Sequence, residues 1–324
     1  MRLIMLGTGP FALPTFRALY GTSHHVLALF TQPARSGEGK HAAAEGPLRA
    51  VAREHGTPVH DPDNINTDAA RAQLAAYQPD LLIVCDYGQI LAPETLAVAP
   101  LGGINLHGSL LPKYRGAAPI NWAIYHGETE TGITVIHMTP RIDAGPALAQ
   151  ARTQIGPEET AAELEPRLAE LGAPLVCRVI DNLAAGHITP IPQDQAQATR
   201  APRLKKGDGA IDWSRDAASI KDQIRAFEPW PKTFTYWHRG PAEPLRLILG
   251  PASVCDTAPA EPGTVLVAHG DDLVIATGDR GLALHGVQPA GKRMLSTAEF
   301  LRGYAVQTGQ RFGESGQRSE VRGR

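Results

Sequence analysis

Residues 101–145 have the sequence LGGINLHGSLLPKYRGAAPINWAIYHGETETGITVIHMTPRIDAG, and this stretch is the first indication of the fold class. The stretch contains two short apolar runs, Ile104–Leu106 and Ile133–Met138, and each of them predicts a strand. Further runs of this kind lie at Arg2–Leu6, Val26–Phe30, Asp80–Cys85 and Ala147–Ala151. Strands that alternate with helices are typical of an α/β fold with a largely parallel sheet that is covered on both faces.

Apolar residues at helical spacing predict the helices between these strands. They are expected over Pro10–Leu19, Leu48–His55 and Glu158–Leu183. The last of these helices should break near Gly172–Pro174, because glycine and proline disfavour the interior of a helix.

The chain changes character after Gly186. Residues 186–209 are rich in proline, glutamine and basic residues, which is typical of a linker. Short apolar runs separated by glycine and proline turns follow at Leu245–Leu249, Gly263–Val267, Leu273–Ala276 and Gly281–Val287. They predict a small β-barrel or sandwich. The predicted organisation is a first domain over residues 1–188, a linker over 189–207, a second domain over 208–311 and a polar tail over 312–324.

The composition excludes few classes of protein. The 324 residues are 43% hydrophobic and 20% charged, with a formal net charge of −2, which is ordinary for a globular protein. Residues 1–199 hold 13 basic and 19 acidic side chains, whereas residues 200–324 hold 18 and 14. A basic second half favours a polyanionic partner, although an excess of this size is equally compatible with an ordinary surface.

Three cysteines, Cys85, Cys177 and Cys255, are far apart and have no CxxC or Cys/His ligand spacing. This argues against a disulfide framework and against structural zinc, so no metal is expected. The N-terminus lacks the pattern of a signal peptide, and no apolar run is long enough to span a bilayer. We therefore expect the protein to lie in the reducing cytoplasm, without a membrane partner. We also expect it to be a monomer.

Polar side chains cluster within residues 101–145. Asn105, His107 and Ser109 occupy alternate positions and face one cleft if the strand geometry persists, and Asp143 lies in a turn after the second apolar run. These groups suit acyl transfer between two nitrogens: Asn105 donates to the developing oxyanion, and His107 donates to it or carries the proton. Asp143 holds the amine, orients the imidazole or relays through water. Taken singly, each of these residues is also a common turn or cap residue.

Gly7-Thr8-Gly9-Pro10-Phe11-Ala12 follows a strand and opens a helix, as in a dinucleotide-binding fingerprint. Pro10 removes a backbone N–H from this turn, and the second strand ends at Phe30-Thr31-Gln32-Pro33 without the carboxylate that would bind a ribose. Glycines that allow a tight strand–helix turn explain the motif better, and a nicotinamide-binding oxidoreductase stays as the alternative.

The run Asn105–Pro119, NLHGSLLPKYRGAAP, resembles the signature of the 10-formyltetrahydrofolate-dependent formyltransferases. Glu130-Thr131-Gly132 and Ile142–Gly145 are similar to further motifs of the family's N-terminal domain, and Asp208–Trp213 and Ile224–Pro231 are similar to motifs of its C-terminal domain. The resemblance covers nearly the whole chain. It implies a Rossmann-like N-terminal domain and an OB-like C-terminal β-barrel.

The resemblance also implies a site and two substrates. It implies Asn105, His107 and Asp143 as the catalytic trio. It implies a folate site along Ser109, Leu110, Leu111 and Pro112 and along Tyr87, Gly88, Gln89, Ile90 and Leu91. The formyl donor would be 10-formyltetrahydrofolate, and the acceptor the methionyl α-amine on initiator tRNA. The alternative within the family is an amine on a sugar nucleotide.

One loop departs from the family pattern. The loop after Gln32-Pro33 is usually rich in basic residues, but here it mixes a few basic residues with glutamates and alanines. We hypothesise that Arg35 and Lys40 carry the loop's contact with tRNA. The linker residues Arg203, Lys205 and Lys206 are expected to compensate for the missing charge.

Overall fold

A computed structural model describes residues 1–33, 46–240 and 242–314 of the chain. These residues form two compact units. The first comprises residues 1–120, 130–155 and 163–203, and the second comprises residues 121–129, 156–162 and 204 onward. The domain and linker boundaries given above stay predictions, although residues 189–203 of the predicted linker belong to the first unit.

The first unit is built on a seven-stranded sheet with the order β3-β2-β1-β4-β5-β7-β8. Its strands are β1 (Arg2–Gly7), β2 (His25–Phe30), β3 (Val59–His60), β4 (Leu81–Cys85), β5 (Gly103–His107), β7 (Glu130–His137) and β8 (Ala147–Gln154). The strands from β3 to β5 are parallel, and β7 and β8 are antiparallel to their neighbours. All five residues of β4 are buried, as expected of a central strand covered on both faces. The predicted α/β fold is confirmed.

Two short strands, β6 (Arg115–Gly116) and β9 (Arg200–Ala201), pair in parallel in the same unit. Before β9, the described residues form the helices α1 (Leu13–Leu19), α2 (Pro47–Glu54), α3 (Asp68–Ala76), α4 (Pro93–Leu96), α5 (Pro119–Tyr125) and α6 (Ala161–Ala184). Short 3-10 turns cover Pro10–Ala12, Gln195–Gln197 and Lys206–Gly209.

The predicted break near Gly172–Pro174 is wrong, because α6 is continuous and includes Pro166 and Pro174. A Cβ atom at Gly172 would lie 2.5 Å from Leu106 Cδ2, so glycine here permits close packing of α6 on the sheet. The gain from that packing outweighs the low helix propensity of the residue.

The second unit contains antiparallel sheets with the orders β17-β16-β11-β10-β18 and β12-β15-β14-β13. Its elements are α7 (Ala217–Ala226), β10 (Thr233–His238), β11 (Leu245–Leu249), β12 (Ala252–Cys255), β13 (Val265–His269), β14 (Asp272–Ala276), β15 (Gly281–Leu284), β16 (Gly286–Pro289), β17 (Leu295–Ser296), α8 (Thr297–Gly303) and β18 (Arg311–Gly313). Apolar side chains from both sheets and both helices form one core, which includes Ile220, Leu247, Ile275 and Phe300. The prediction of a second domain built from short strands is confirmed, and its closure into an OB-like barrel stays a prediction.

The single strand predicted over Gly281–Val287 is wrong, because the chain forms β15 and β16 there, in different sheets. The change of sheet occurs at His285, whose N–H donates to the carbonyl of Pro251 rather than to a neighbouring strand. A continuous apolar pattern does not reveal such a change of sheet, because both strands bury alternate residues in the same core.

Candidate active site

Asn105, His107 and Asp143 lie together in the first unit. Asp143 Oδ2 lies 3.6 Å from His107 Nδ1, and Asn105 Nδ2 donates to Asp143 Oδ1 over 3.5 Å. Only 6% of the His107 side chain and 13% of the Asp143 side chain are exposed to solvent. The strand alternation predicted for Asn105 and His107 therefore places both beside one carboxylate from a distant loop.

His107 is oriented by its other ring nitrogen. Nε2 lies 2.8 Å from the carbonyl oxygen of Tyr114. Since a carbonyl only accepts, Nε2 donates this hydrogen bond, and Nδ1 is the ring nitrogen nearest to the Asp143 carboxylate. The distance of 3.6 Å is longer than a hydrogen bond, as is common for catalytic groups before substrate binds.

The Asp143 carboxylate is held by the backbone as well. The N–H of Gly116 donates to Oδ2 over 2.9 Å. Asp143 has a φ of +49°, a conformation that aspartate tolerates better than most residues. A Cβ atom at Gly145 would lie 1.8 Å from the carbonyl oxygen of His137, so this turn requires glycine. The sequence does not reveal the role of Gly116, because a backbone donor leaves no signal in residue type.

Ser109 does not continue the alternation, because β5 ends at His107. Its hydroxyl is fully buried and donates to the carbonyl oxygen of Lys113 over 2.7 Å. Thr134, also missed from the sequence, donates to the carbonyl of Ser109 over 2.7 Å and accepts from the N–H of Leu111 over 3.0 Å. These bonds fix the loop after β5, in which Leu111 is buried and Leu110 and Pro112 are half-buried.

The segment Tyr87–Leu91 divides into buried and exposed residues. Tyr87 and Leu91 belong to the hydrophobic core, and burial raises the pKa of the Tyr87 phenol. The Gln89 side chain accepts from the N–H of Ile65 and donates to the carbonyl of Pro62, which holds the neighbouring loop. Gly88 is exposed, and Ile90 is an apolar side chain that is 63% exposed.

Asp86 faces the glycine turn that resembles a dinucleotide fingerprint. A Cβ atom at Gly9 would lie 1.6 Å from Asp86 Oδ2, so the carboxyl group lies directly against this turn. Desolvation raises the pKa of Asp86 to about 6, and the negative charge of Glu165 adds to the shift. A carboxylate in this place disfavours a pyrophosphate, which argues against the nicotinamide alternative.

The raised pKa of Asp86 predicts a pH-dependent cost in stability. The ordinary pKa of the group is 3.8 and its folded-state pKa is about 6, so the folded protein holds this proton more tightly. The free energy of unfolding should therefore fall as the pH rises through this interval. Asp86→Asn is expected to be more stable than the wild type at pH 7.5 by a margin that shrinks at pH 5. Urea unfolding at both pH values measures this margin.

The matched control is Asp63→Asn, the same substitution at a second aspartate of the first unit. It separates the effect of Asp86 from any general effect of exchanging aspartate for asparagine. A margin for Asp86→Asn that is equal at pH 5 and pH 7.5 would show that the carboxyl group of Asp86 does not titrate as described.

The residues predicted to bind tRNA lie in several places. Arg35 and Lys40 lie outside the described residues. Arg203, Lys205 and Lys206 are exposed, the last two at the 3-10 turn Lys206–Gly209. Over residues 1–33, 46–240 and 242–314, no group of three or more His, Cys, Asp or Glu side chains is arranged to hold a metal ion.

The fold described above is that of a formyl-group transferase. Residues 1–180 match the family model described as formyl transferase, and residues 203–305 match that of the formyl transferase C-terminal domain. The chain therefore belongs to the formyl transferase family.

Similar proteins within this family are methionyl-tRNA formyltransferases. The methionyl-tRNA formyltransferase of Desulfotalea psychrophila is 44% identical, and the match covers 94% of each chain. The methionyl-tRNA formyltransferase of Methylococcus capsulatus is 40% identical, over 97% of this chain and 100% of that protein.

Among solved structures, the N-formyltransferase of Helicobacter canadensis, crystallised with folinic acid and dTDP-3-aminofucose, aligns with a TM-score of 0.65. The alignment covers 89% of this chain and 98% of that one at 16% identity, and it supports the fold alone. Within the part of the chain that the structure describes, no helix is both long and apolar enough to cross a bilayer.

Proposed function

We infer that this protein transfers the formyl group of 10-formyltetrahydrofolate to the α-amine of methionyl-initiator tRNA, for translation initiation. The observation that carries this conclusion is the match to curated methionyl-tRNA formyltransferases along nearly the whole chain. Membership of the formyl transferase family supports the formyl-folate donor. The amino-sugar alternative has support only from distant structural neighbours, which share the fold.

The reaction sets three chemical requirements for the site. The amine must attack the formyl carbon with its lone pair free, and the attack places negative charge on the formyl oxygen. The new C–N bond leaves an extra proton on the attacking nitrogen. This proton must be removed, and the departing nitrogen of the folate must gain one, before the old C–N bond breaks.

We propose His107 as the group that moves the proton. With Nε2–H bound to the carbonyl of Tyr114, the lone pair of Nδ1 is available to take a proton from the attacking amine. The Asp143 carboxylate, 3.6 Å from Nδ1, stabilises the imidazolium that results. The imidazolium then donates its proton to the departing folate nitrogen.

We propose Asn105 as the donor to the developing oxyanion. One N–H of its amide points toward Asp143, and the second is available to the formyl oxygen. The bond to Asp143 holds the amide in one orientation, so little reorganisation accompanies the reaction. A donor placed in this way commonly contributes about 3–4 kcal/mol to stabilisation of the transition state.

The folate site stays a proposal on nine residues, Tyr87, Gly88, Gln89, Ile90, Leu91, Ser109, Leu110, Leu111 and Pro112. The exposed and the buried members of this set are proposed to have different roles. The exposed Gly88 and Ile90, and the half-buried Leu110 and Pro112, are positioned to touch a ligand. The buried members hold the backbone of residues 87–91 and 109–112 in place.

The proposed function is tested by the choice of acceptor. The full-length enzyme is incubated with 10-formyltetrahydrofolate and with methionyl-initiator tRNA, uncharged tRNA or a dTDP-linked amino sugar. Mass spectrometry then identifies the formylated product. We expect N-formylmethionyl-tRNA alone. Formylation of the amino sugar with no product on the tRNA would contradict the proposal.

We propose that Arg203, Lys205 and Lys206, together with Arg35 and Lys40, contact the tRNA backbone. Removing the charges of Lys205 and Lys206 by alanine should raise the KM for tRNA and leave the KM for the folate unchanged. Each lost phosphate contact should reduce the slope of log affinity against log salt by about 1. Filter binding across a salt series measures the slope.

The control for this pair is Arg302→Ala, which removes an exposed positive charge on α8 in the same unit. It should leave the salt slope unchanged. An unchanged slope in the Lys205/Lys206 double variant would show that these side chains do not contact the tRNA.

We further propose that the protein acts as a monomer in the cytoplasm. The enzyme requires access to initiator tRNA and to reduced folates, and the three cysteines are unpaired thiols, which suits a reducing compartment. Sedimentation at assay concentrations tests the oligomeric state, and a dimer would contradict the proposal.

A further inference from the structure

The side chain of Gln193 joins two parts of the candidate site. Its Nε2 donates to the carbonyl oxygen of Asp143 over 2.8 Å and to that of Gly145 over 2.6 Å. Its Oε1 accepts from Arg115 Nε over 3.1 Å and from Arg115 Nη2 over 2.6 Å. All four groups belong to the first unit, and Gln193 lies 50 residues from Asp143 along the chain.

Only one orientation of this amide satisfies its neighbours. Two carbonyl oxygens accept hydrogen bonds and the guanidinium of Arg115 donates them, so the NH₂ group must face Asp143 and Gly145. The reversed amide would set acceptor against acceptor and donor against donor. The four bonds therefore hold Gln193 in a single state, and the glutamine in turn holds its partners.

The peptides that Gln193 holds determine where the Asp143 carboxylate lies. Asp143 has a φ of +49°, a conformation that costs about 1 kcal/mol or more in a residue other than glycine. Bonds to the carbonyls on both sides of Ala144 stabilise this turn. Without them the backbone at Asp143 is free to relax, and the side chain moves with it.

The segment that follows Gln193 also positions Gly116, whose N–H donates to the Asp143 carboxylate. Residues 199–201 lie beside residues 115–117: the N–H of Arg115 donates to the carbonyl of Thr199 over 2.9 Å, and that of Ala117 donates to the carbonyl of Ala201 over 2.8 Å. The N–H of Gly116, between them, donates to Asp143 Oδ2. The segment 193–201 thus supports the carboxylate from its own turn and from the strand opposite.

We propose that Gln193 is a positioning residue for formyl transfer, which fixes the turn that carries Asp143 at the distance where its carboxylate acts on His107. This inference rests on the role proposed above for Asp143. Gln193 does not reach the reacting atoms and acts through Asp143. It lies in a segment whose composition is that of a linker, and this segment is here part of the active-site framework.

The test begins with Gln193→Met, which keeps the length of the side chain and removes all four hydrogen bonds. We expect kcat to fall about 10- to 100-fold, as for other small displacements of catalytic groups. The KM values for the folate and the tRNA should stay within twofold of the wild type. The matched control is Gln197→Met, because the side chain of Gln197 is exposed and bonds to Asp194. It should retain wild-type kcat.

A double-mutant cycle with Asp143→Asn separates positioning from a general structural role. If Gln193 acts through Asp143, adding Gln193→Met to Asp143→Asn should cause no further loss of kcat. Gln193→Glu keeps the acceptor for Arg115 but has no N–H for the two carbonyls, so it should lose at least as much activity as Gln193→Met. This second variant also guards against a methionine variant that fails to fold, which thermal unfolding detects.

Two results would overturn the role of Gln193: wild-type kcat in Gln193→Met and Gln193→Glu, or losses that multiply with those of Asp143→Asn. These results differ from failure of the proposed chemistry. An Asp143→Asn variant with wild-type turnover would contradict the role of Asp143 itself, whatever the behaviour of Gln193.

Discussion

Replacing His107 with alanine is expected to lower kcat by about 100- to 10,000-fold, the range typical of lost general acid–base catalysis. The variant keeps Asn105 and Asp143 but has no group that takes the proton from the attacking amine. The KM values should change little, because the ring is nearly buried and presents one nitrogen to the site. Steady-state rates with saturating folate and charged tRNA measure the loss.

The control for this prediction is His137→Ala. His137 ends β7, the neighbour of β5, and its Nε2 bonds to the carbonyl oxygen of Leu101, away from the trio. It should retain wild-type turnover. His107→Gln serves as a second variant, because its amide is able to donate to the Tyr114 carbonyl and so to keep the local fold. Turnover near the wild-type value in either His107 variant would remove the imidazole from the mechanism.

Asp143→Asn is expected to reduce kcat by about 100-fold or more, because the charge that stabilises the imidazolium is lost. The amide is nearly the same size as the carboxylate, and its oxygen remains able to accept from the N–H of Gly116. The fold and the KM for folate should therefore be preserved. Single-turnover rates at saturating substrate separate the chemical step from product release.

A second His–Asp pair of the first unit provides the control. Asp181 Oδ1 lies 2.9 Å from His24 Nε2, and the Asp181 side chain is 61% exposed. Asp181→Asn removes the same charge from the same kind of pair, and it should leave kcat unchanged. If both aspartate variants lost activity equally, the effect would belong to the stability of the unit rather than to the site.

The sequence predicts best those features that depend on local pattern. The continuous apolar run Leu81–Cys85 predicts a central buried strand, and it is one. Alternation predicts that Asn105 and His107 share a side of β5, and both face Asp143. The glycines and prolines of the second half predict short strands, and short antiparallel strands are present.

Features that depend on tertiary packing are not contained in local pattern. The intact helix through Gly172 reflects the close approach of Leu106, and the end of β5 before Ser109 reflects bonds made within the following loop. Gln193 meets Asp143 from 50 residues away, in a segment with the composition of a linker. Residue type alone gives no sign of these contacts.

We propose that Asn105, His107 and Asp143 act together on one formyl carbon. The most direct measurement is a structure of the enzyme with a non-transferring formyl folate. We expect the formyl carbon within about 4 Å of both Asn105 Nδ2 and His107 Nδ1, close to the spacing of reacting groups. A formyl group bound beyond the reach of these atoms, with the trio in the geometry described above, would contradict the claim.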